Sequence, residues 1–152
     1  MANPADDVID ILLVEDNPND AEFALRALRK SETAPRVLHV EDGAAALDFI
    51  LRTGAWTARD PRSGPKVVLL DLKLPKVDGL EVLRRVKSDE RGRSIPIVIL
   101  TSSKEPRDLV ESYRQGVNSY VVKPVDFAHY TKALAQLAHY WTQINQSPVS
   151  YL

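Results

Sequence analysis

The run Val67-Val68-Leu69-Leu70-Asp71 decides the predicted fold. A short, continuously apolar run is typical of a strand in a parallel sheet that helices cover on both faces. Three other runs end in a similar way: Ile11-Leu12-Leu13-Val14 at Glu15-Asp16, Ile97-Val98-Ile99-Leu100 at Thr101, and Tyr120-Val121-Val122 at Lys123. If the four strands are parallel neighbours, their polar ends lie together at one edge of the sheet, where such sheets form their functional crevices.

Strand-like runs alternate with segments of helical period along the chain. The predicted strands cover residues 8–14, 36–40, 67–70, 97–100 and 119–122, and the predicted helices begin near residues 17, 43, 80, 106 and 127. Five β–α units predict an α/β fold with a doubly wound, five-stranded parallel sheet and five helices, of the flavodoxin-like type. The fourth helix is expected to bury Leu109, Val110 and Tyr113 and to stop at Gly116.

The composition favours one globular domain. The chain has 152 residues, of which 44% are hydrophobic and 27% charged, and its net charge is −1. This balance predicts no pull toward nucleic acid or an anionic membrane, and no basic recognition segment follows the last helix. The absence of cysteine excludes disulfides, thiolate zinc sites and cysteine nucleophiles.

The chain is expected to divide into a short N-terminus, a domain and a tail. Residues 1–7 are predicted to be disordered or extended, residues 8–145 to form the domain, and residues 146–152 to form a C-terminal tail. Residues 54–65 hold two glycines and two prolines, which predicts a long surface loop. The polar N-terminus is unlike a signal peptide and no apolar run reaches membrane-spanning length, so we expect a cytoplasmic protein that does not enter a membrane.

Three carboxylates converge in this arrangement, those of Glu15, Asp16 and Asp71. Each one alone is equally well explained as a solvated group or a helix cap. Two like charges about 4 Å apart repel by roughly 4 kcal/mol at an effective dielectric constant near 20, and Lys123 offsets only one of the three. The site therefore needs another cation or unusual protonation. Hard oxygen ligands favour Mg²⁺, with the backbone carbonyl of Lys73 as a further ligand.

A magnesium ion beside a carboxylate, a lysine and a hydroxyl predicts phosphoryl transfer. Asp71 would be the nucleophile that forms an aspartyl-phosphate. Lys123 and Thr101 would each bind a phosphoryl oxygen. Taken singly, Lys123 is also explained by an ordinary surface charge and Thr101 by a strand-end hydrogen bond. A cis peptide before Pro124 is a further option for fixing the direction of Lys123, although trans is the default.

Five stretches together resemble the response-regulator receiver domain of two-component signalling. They are Ile11-Leu12-Leu13-Val14-Glu15-Asp16, Leu69-Leu70-Asp71-Leu72-Lys73-Leu74-Pro75, Asp78-Gly79, Ile97-Val98-Ile99-Leu100-Thr101-Ser102 and Val121-Val122-Lys123-Pro124. The resemblance implies that Asp71 accepts a phosphoryl group from a histidine kinase. It also implies a magnesium site at Glu15, Asp16, Asp71 and the Lys73 carbonyl, and phosphate sensing by Thr101 and Lys123.

The same resemblance implies a switch and a signalling surface. Tyr120, three residues before Lys123, is the position that swings inward in the family when the threonine hydroxyl moves to the phosphate. This movement would remodel the face formed by the fourth helix, fifth strand and fifth helix, for signalling or phosphoryl relay. The residues alone favour a partly exposed strand aromatic at this position.

The last helix carries a heptad-like apolar seam at Phe127, Tyr130, Leu134, Leu137, Trp141 and Ile144. The part from Phe127 to Leu137 is predicted to pack on the sheet. Tyr140, Trp141 and Ile144 are candidate homodimer contacts, because aromatic side chains are enriched at interface centres. This helix, the tail and the long loop are similar to those of the single-domain regulators paired with bacterial phytochromes, several of which dimerise, and this suggests a phytochrome-type kinase as partner.

Three other functions compete with this interpretation. An aspartate-nucleophile phosphatase resembles a pattern with a second acid two residues after the nucleophile, where this chain has Lys73. No dedicated enzyme activity is therefore expected beyond slow loss of the protein's own phosphoryl group. A phosphorylation-independent adaptor with the same fold remains an alternative. A nucleotide-binding fold is disfavoured because no glycine-rich phosphate motif follows the first strand.

Overall fold

The sheet and its helices follow the predicted α/β order. The computed structural model describes residues 8–152. The strands are β1 (Ile11–Val14), β2 (Val37–Val40), β3 (Val67–Leu70), β4 (Ile97–Thr101) and β5 (Ser119–Val122), and the helices are α1 (Pro18–Lys30), α2 (Gly43–Leu51), α3 (Gly79–Ser88), α4 (Pro106–Arg114) and α5 (Phe127–His139). The five strands are parallel and lie in the order β2-β1-β3-β4-β5. The predicted fold class is confirmed.

The core consists of two apolar layers, one on each face of the sheet. Strands β1, β3 and β4 are buried along their whole length, as their continuous apolar runs predict. Alternate residues point to opposite faces, so Leu12 belongs to the layer under α2 and α3, while Ile11 and Leu13 belong to the layer under α1 and α5. The strand order reverses between β1 and β3, which places the expected crevice at their carboxyl ends.

The first strand is shorter than predicted. It begins at Ile11, not at residue 8. The amide of Ile9 donates to the carbonyl of Ser63, and the amide of Asp10 donates to that of Arg36, so this entry segment is tied to two loops. Residues 1–7, predicted to be disordered or extended, lie outside the described residues.

Helix α4 has the opposite orientation from the prediction. Leu109, Val110 and Tyr113 are 40%, 46% and 53% exposed, whereas Ser112 is fully buried. The Ser112 hydroxyl donates to the Asp108 carbonyl one turn earlier, so the helix can present a small, satisfied polar residue to the domain. The spacing of the apolar residues correctly predicted that they share one face of the helix, but this face points to solvent and not to the sheet. Gly116 follows the helix with φ +94°, as expected of a glycine that ends a helix.

The seam on α5 is buried in its middle and exposed at its start. Tyr130 and Leu134 are buried, as predicted. Phe127 is exposed, so its predicted packing on the sheet is wrong; its ring instead makes an edge-to-face contact with Phe23 of α1, with centroids 5.2 Å apart. The helix continues as a π-helical turn, Tyr140–Ile144.

The loop at residues 54–65 is anchored by a buried arginine. Arg59 donates to the carbonyls of Gly64 at 2.6 Å and Phe49 at 2.8 Å, and its guanidinium lies 4.4 Å from the centre of the Phe49 ring. The Phe49 carbonyl belongs to the last turn of α2, where carbonyls lack partners within the helix. The loop is therefore an ordered connection held to α2.

The segment at residues 146–152 packs back on this loop. It contains a 3₁₀ turn, Val149–Tyr151, which lies against a second 3₁₀ turn at Pro61–Ser63, and Val149 is buried. Among residues 8–152, no helix has both the length and the apolar character needed to cross a membrane.

Candidate functional site

The predicted strand ends meet at one edge of the sheet. The Lys123 ammonium, which follows β5, lies 2.9 Å from a carboxylate oxygen of Asp71, which follows β3. It also contacts the carboxylate of Glu15, which follows β1. Thr101 is buried at the end of β4, and its carbonyl accepts a 2.7 Å hydrogen bond from the Lys123 amide. Residues up to 108 positions apart in sequence therefore form one site.

Glu15, Asp16 and Asp71 form an oxygen cluster. Each offers a carboxylate oxygen, and these oxygens lie within 4.8 Å of one another. Glu15 is buried, Asp71 is half-buried and Asp16 is exposed at the rim. The side chain of Lys73 is exposed, so only its backbone is a candidate ligand. The cluster matches the hard-oxygen donor set that magnesium prefers.

A carboxylate missed by the sequence analysis completes the surroundings of Lys123. Asp20 lies in the first turn of α1, and its carboxylate oxygen is 3.1 Å from the Lys123 ammonium. Asn17-Pro18 starts a helix after Glu15-Asp16 in the sequence, which places Asp20 in its first turn, but the contact with Lys123 depends on how α1 lies relative to β5. Three carboxylates, those of Glu15, Asp20 and Asp71, thus contact one ammonium.

Burial dominates the electrostatics of this site. It raises the pKa of Glu15 to about 7, and the hydrogen bond from Lys123 offsets only part of this effect. Burial also opposes the charged form of Lys123, but hydrogen bonds to Glu15 and Asp71 outweigh it and raise the pKa of the ammonium above its usual range. The lysine is therefore protonated, and the excess negative charge favours binding of a further cation.

A glycine allows the site loop to close against α3. Asp71 accepts a 2.7 Å hydrogen bond from the Leu72 amide through its second carboxylate oxygen. The Gly79 amide donates to the Leu72 carbonyl at 2.8 Å. A β-carbon at Gly79 would lie 2.2 Å from the Asp71 carbonyl oxygen, so any side chain there would displace the backbone that carries Asp71.

Ser103 connects the residues predicted to sense and transmit a signal. Its amide donates to the Thr101 hydroxyl oxygen at 3.3 Å, and its carbonyl accepts from the Tyr120 hydroxyl at 3.1 Å. Its own hydroxyl donates to the Asp108 carboxylate on α4 at 2.6 Å. Asp108 was not predicted, because its role depends on which side of α4 faces the sheet. Among the described residues only the peptide before Pro65 is cis, so the peptide before Pro124 is trans.

Two cavities flank β5 and α5. One, of about 280 Å³, opens beside Lys123 between α1 and the start of α5, and the exposed rings of Phe23 and Phe127 contribute to its lining. The other, of about 470 Å³, lies between β5 and the end of α5 and is lined in part by Tyr140 and Trp141. The rings of these last two residues meet edge-to-face with centroids 5.1 Å apart. Tyr140 and Ile144 are exposed, while Trp141 is half-buried against the core.

The family model for the response regulator receiver domain matches residues 11–135. The chain belongs to this family. Receiver domains are components of two-component signalling and are in general non-catalytic, and the acidic pocket is compatible with magnesium and phosphorylation.

Three similar receiver proteins illustrate the kinship. The probable methanogenesis regulatory protein FilR2 of Methanothrix harundinacea is 43% identical, with 95% of this chain and 90% of that protein covered. The bacteriophytochrome response regulator RtBRR is 50% identical, with a TM-score of 0.72 and coverage of 94% of this chain and 86% of that one. The Mn²⁺-bound form of response regulator Rcp1 from Synechocystis is 32% identical, with a TM-score of 0.83 and coverage of 92% and 99%.

Proposed function

We propose that this receiver accepts a phosphoryl group on Asp71 from the phosphohistidine of a sensor histidine kinase. A carboxylate oxygen of Asp71 attacks phosphorus, the bond from phosphorus to the imidazole nitrogen breaks, and an acyl phosphate forms. The observation that carries the proposal is the 2.9 Å contact between Asp71 and Lys123 inside the acidic cluster. Acetyl phosphate, a small acyl phosphate, tests the proposal without a cognate kinase: one phosphoryl group should appear on the chain, and none would contradict it.

Glu15, Asp16, Asp71 and the Lys73 backbone carbonyl would hold a magnesium ion. The close approach of three carboxylate oxygens and the excess negative charge support this assignment. The Mn²⁺-bound form of the similar response regulator Rcp1 supports the binding of a divalent cation by this chain. When bound, the ion would neutralise charge on the phosphoryl oxygens.

Replacement of Asp16 by asparagine should weaken magnesium binding by at least roughly tenfold, because a charged ligand becomes neutral. Asp16 is exposed, so the fold should tolerate the change. Titration calorimetry with Mg²⁺ measures the effect, and Glu22→Gln, which removes one charge on α1 away from the cluster, serves as control. Equal magnesium affinity in Asp16→Asn and wild type would remove Asp16 from the ligand set.

The Thr101 hydroxyl and the Lys123 ammonium would bind the phosphoryl oxygens, and this binding would change the structure at the start of α4. Thr101 accepts a hydrogen bond from the Ser103 amide, so a move of its hydroxyl toward a phosphoryl group would release Ser103. Ser103 in turn holds Tyr120 and Asp108, and its release would shift the side chain of the switch residue Tyr120 and the start of α4. The change would appear on the face of α4, β5 and α5, whose apolar residues on α4 are exposed.

The kinase would dock beside the first cavity. Phe23 and Phe127 expose apolar surface next to Lys123, and Val125 is almost fully exposed between them and the strand end. This surface suits an apolar helix face that brings a phosphohistidine to Asp71. The kinship with RtBRR supports a bacterial phytochrome as the kinase. The protein would act in the cytoplasm, bind neither nucleic acid nor membrane, and lose its own phosphoryl group slowly.

The domain would comprise residues 8–145, and the π-helical turn after α5 would form a homodimer contact through Tyr140, Trp141 and Ile144. The exposed side chains of Tyr140 and Ile144 and the adjoining cavity of about 470 Å³ support a contact at this place. Sedimentation velocity at high micromolar concentration should show a dimer that Tyr140→Ala weakens. A monomer at all concentrations, with and without a phosphoryl mimic, would end this hypothesis.

A further inference from the structure

We propose that Asp20 is a positioning residue that competes with the phosphoryl group for the Lys123 ammonium. It holds the ammonium in the phosphoryl-free site and opposes its transfer to a phosphoryl oxygen. Asp20 thereby limits how tightly the chain retains a phosphoryl group. This inference rests on the proposed function of Asp71 and Lys123.

The start of α1 fixes Asp20 beside the lysine. The Asn17 side chain accepts hydrogen bonds from the amides of Asn19 and Asp20 at 2.9 Å and 3.2 Å. Asn17 therefore caps the first turn of the helix, which contains Asp20. From this position an Asp20 carboxylate oxygen reaches 3.1 Å from the Lys123 ammonium. The cap fixes the backbone from which the Asp20 side chain extends toward Lys123.

All hydrogen-bond donors of Lys123 are already used. An ammonium has three N–H groups, and the structure gives this one three carboxylate partners, on Glu15, Asp20 and Asp71. A phosphoryl oxygen can therefore receive a hydrogen bond from Lys123 only if one carboxylate gives up its own. The net free energy of the new hydrogen bond therefore depends on the carboxylate contact that Lys123 must give up.

Asp20 differs from the other two partners in exposure and in role. Its side chain is 39% exposed, against 4% for Glu15 and 12% for Asp71. It also stands outside the proposed magnesium ligands, so a bound cation would draw Glu15 and Asp71 away from the lysine and leave Asp20 with it. The lysine would then be held by Asp20 alone, and this contact opposes movement of the ammonium toward a phosphoryl oxygen.

The charge of Asp20 also affects the approach of a phosphoryl donor. Asp20 and Lys123 line the same cavity of about 280 Å³. A carboxylate at this mouth repels an anionic donor, and salt screens this repulsion at distances near a Debye length. Contact competition for Lys123 is much less sensitive to salt, because the ammonium is largely buried. Salt therefore separates the two effects.

Asp20→Asn tests the inference by removing the charge while keeping the size of the side chain. Beryllofluoride, a phosphoryl mimic, should bind this variant roughly fivefold more tightly than wild type, as expected for loss of a partly exposed ion pair. The lifetime of the phosphorylated form should increase in the same direction. Asp20→Ala, which also removes the hydrogen-bond acceptor, should show at least the same gain.

Magnesium affinity without the mimic separates positioning from a structural role. It should change little in the Asp20 variants, whereas a merely structural defect would alter both affinities. Glu22→Gln is the matched control, because Glu22 lies on the same helix and pairs with Arg26. In high salt, the faster labelling of Asp20→Asn by acetyl phosphate should fall toward the wild-type rate while the gain in beryllofluoride affinity persists.

Equal beryllofluoride affinity in wild type and both Asp20 variants would overturn the inference and leave the proposed function standing. The same gain in Glu22→Gln would also overturn it, because the effect would then come from net charge on α1. A wild-type protein that neither binds beryllofluoride nor accepts a phosphoryl group would overturn both the inference and the proposed function.

Discussion

Asp71→Asn is expected to abolish covalent phosphorylation, the largest functional loss expected of any single substitution. A carboxamide is a poor nucleophile, so no acyl phosphate can form at this position. The substitution preserves the shape of the side chain and an oxygen that can accept from the Leu72 amide, as Asp71 does at 2.7 Å. Intact-mass measurement after incubation with acetyl phosphate and Mg²⁺ should show no phosphoryl gain.

Glu90→Gln provides the matched control for this result. Glu90 is exposed and its carboxylate lies 4.0 Å from Arg93, so its loss removes one charge without touching the site. This variant should label at the wild-type rate, and both variants should unfold at temperatures close to that of wild type. Labelling of Asp71→Asn at the wild-type rate would place the acceptor on another residue, which peptide mapping would identify.

Lys123→Ala should lose the response to phosphorylation while keeping, or even strengthening, magnesium binding. In the site without metal, the ammonium occupies carboxylate oxygens of Glu15 and Asp71 that a cation would also use. Its removal takes away a competing positive charge, so magnesium affinity should rise, by roughly tenfold for a change of about 1.4 kcal/mol. The phosphoryl group would then lack the Lys123 ammonium, whose binding is needed for the change on α4.

The response is read on α4. Hydrogen exchange over residues 106–114 should change in wild type when beryllofluoride and Mg²⁺ are added, and should stay constant in Lys123→Ala. Lys132→Ala, which removes an exposed lysine of α5, should respond like wild type. An intact response on α4 in Lys123→Ala would contradict the sensing role of Lys123, whatever the change in magnesium affinity.

The strand ends were predictable because they depend on two simple regularities. Continuous apolar runs identify buried parallel strands, and parallel strands bring their carboxyl ends to one edge. Val67–Leu70 and Ile97–Thr101 both follow this pattern, so the positions of Asp71 and Thr101 follow directly. The same reasoning supplied Glu15, Asp16 and Lys123.

The remaining features depend on how helices, strands and loops are oriented relative to one another, and the spacing of apolar residues in the sequence does not determine this. Helix α4 has a strong apolar face, but its period does not say whether Leu109 and Tyr113 point toward the sheet or away from it. The contact of Asp20 with Lys123 requires the turn after β1 to lie beside the end of β5 in space. Arg59 lies in a polar loop, and a charged residue in such a loop is expected at the surface, although this one is buried against Phe49.

The central claim is tested most directly by the mass of the wild-type protein after incubation with acetyl phosphate and Mg²⁺. We expect the gain of one phosphoryl group per chain, a requirement for the divalent cation, and slow return to the original mass after the donor is removed. Absence of any gain, under conditions that label a known receiver domain, would contradict the assignment of Asp71 as phosphoacceptor and favour an adaptor that works without phosphorylation.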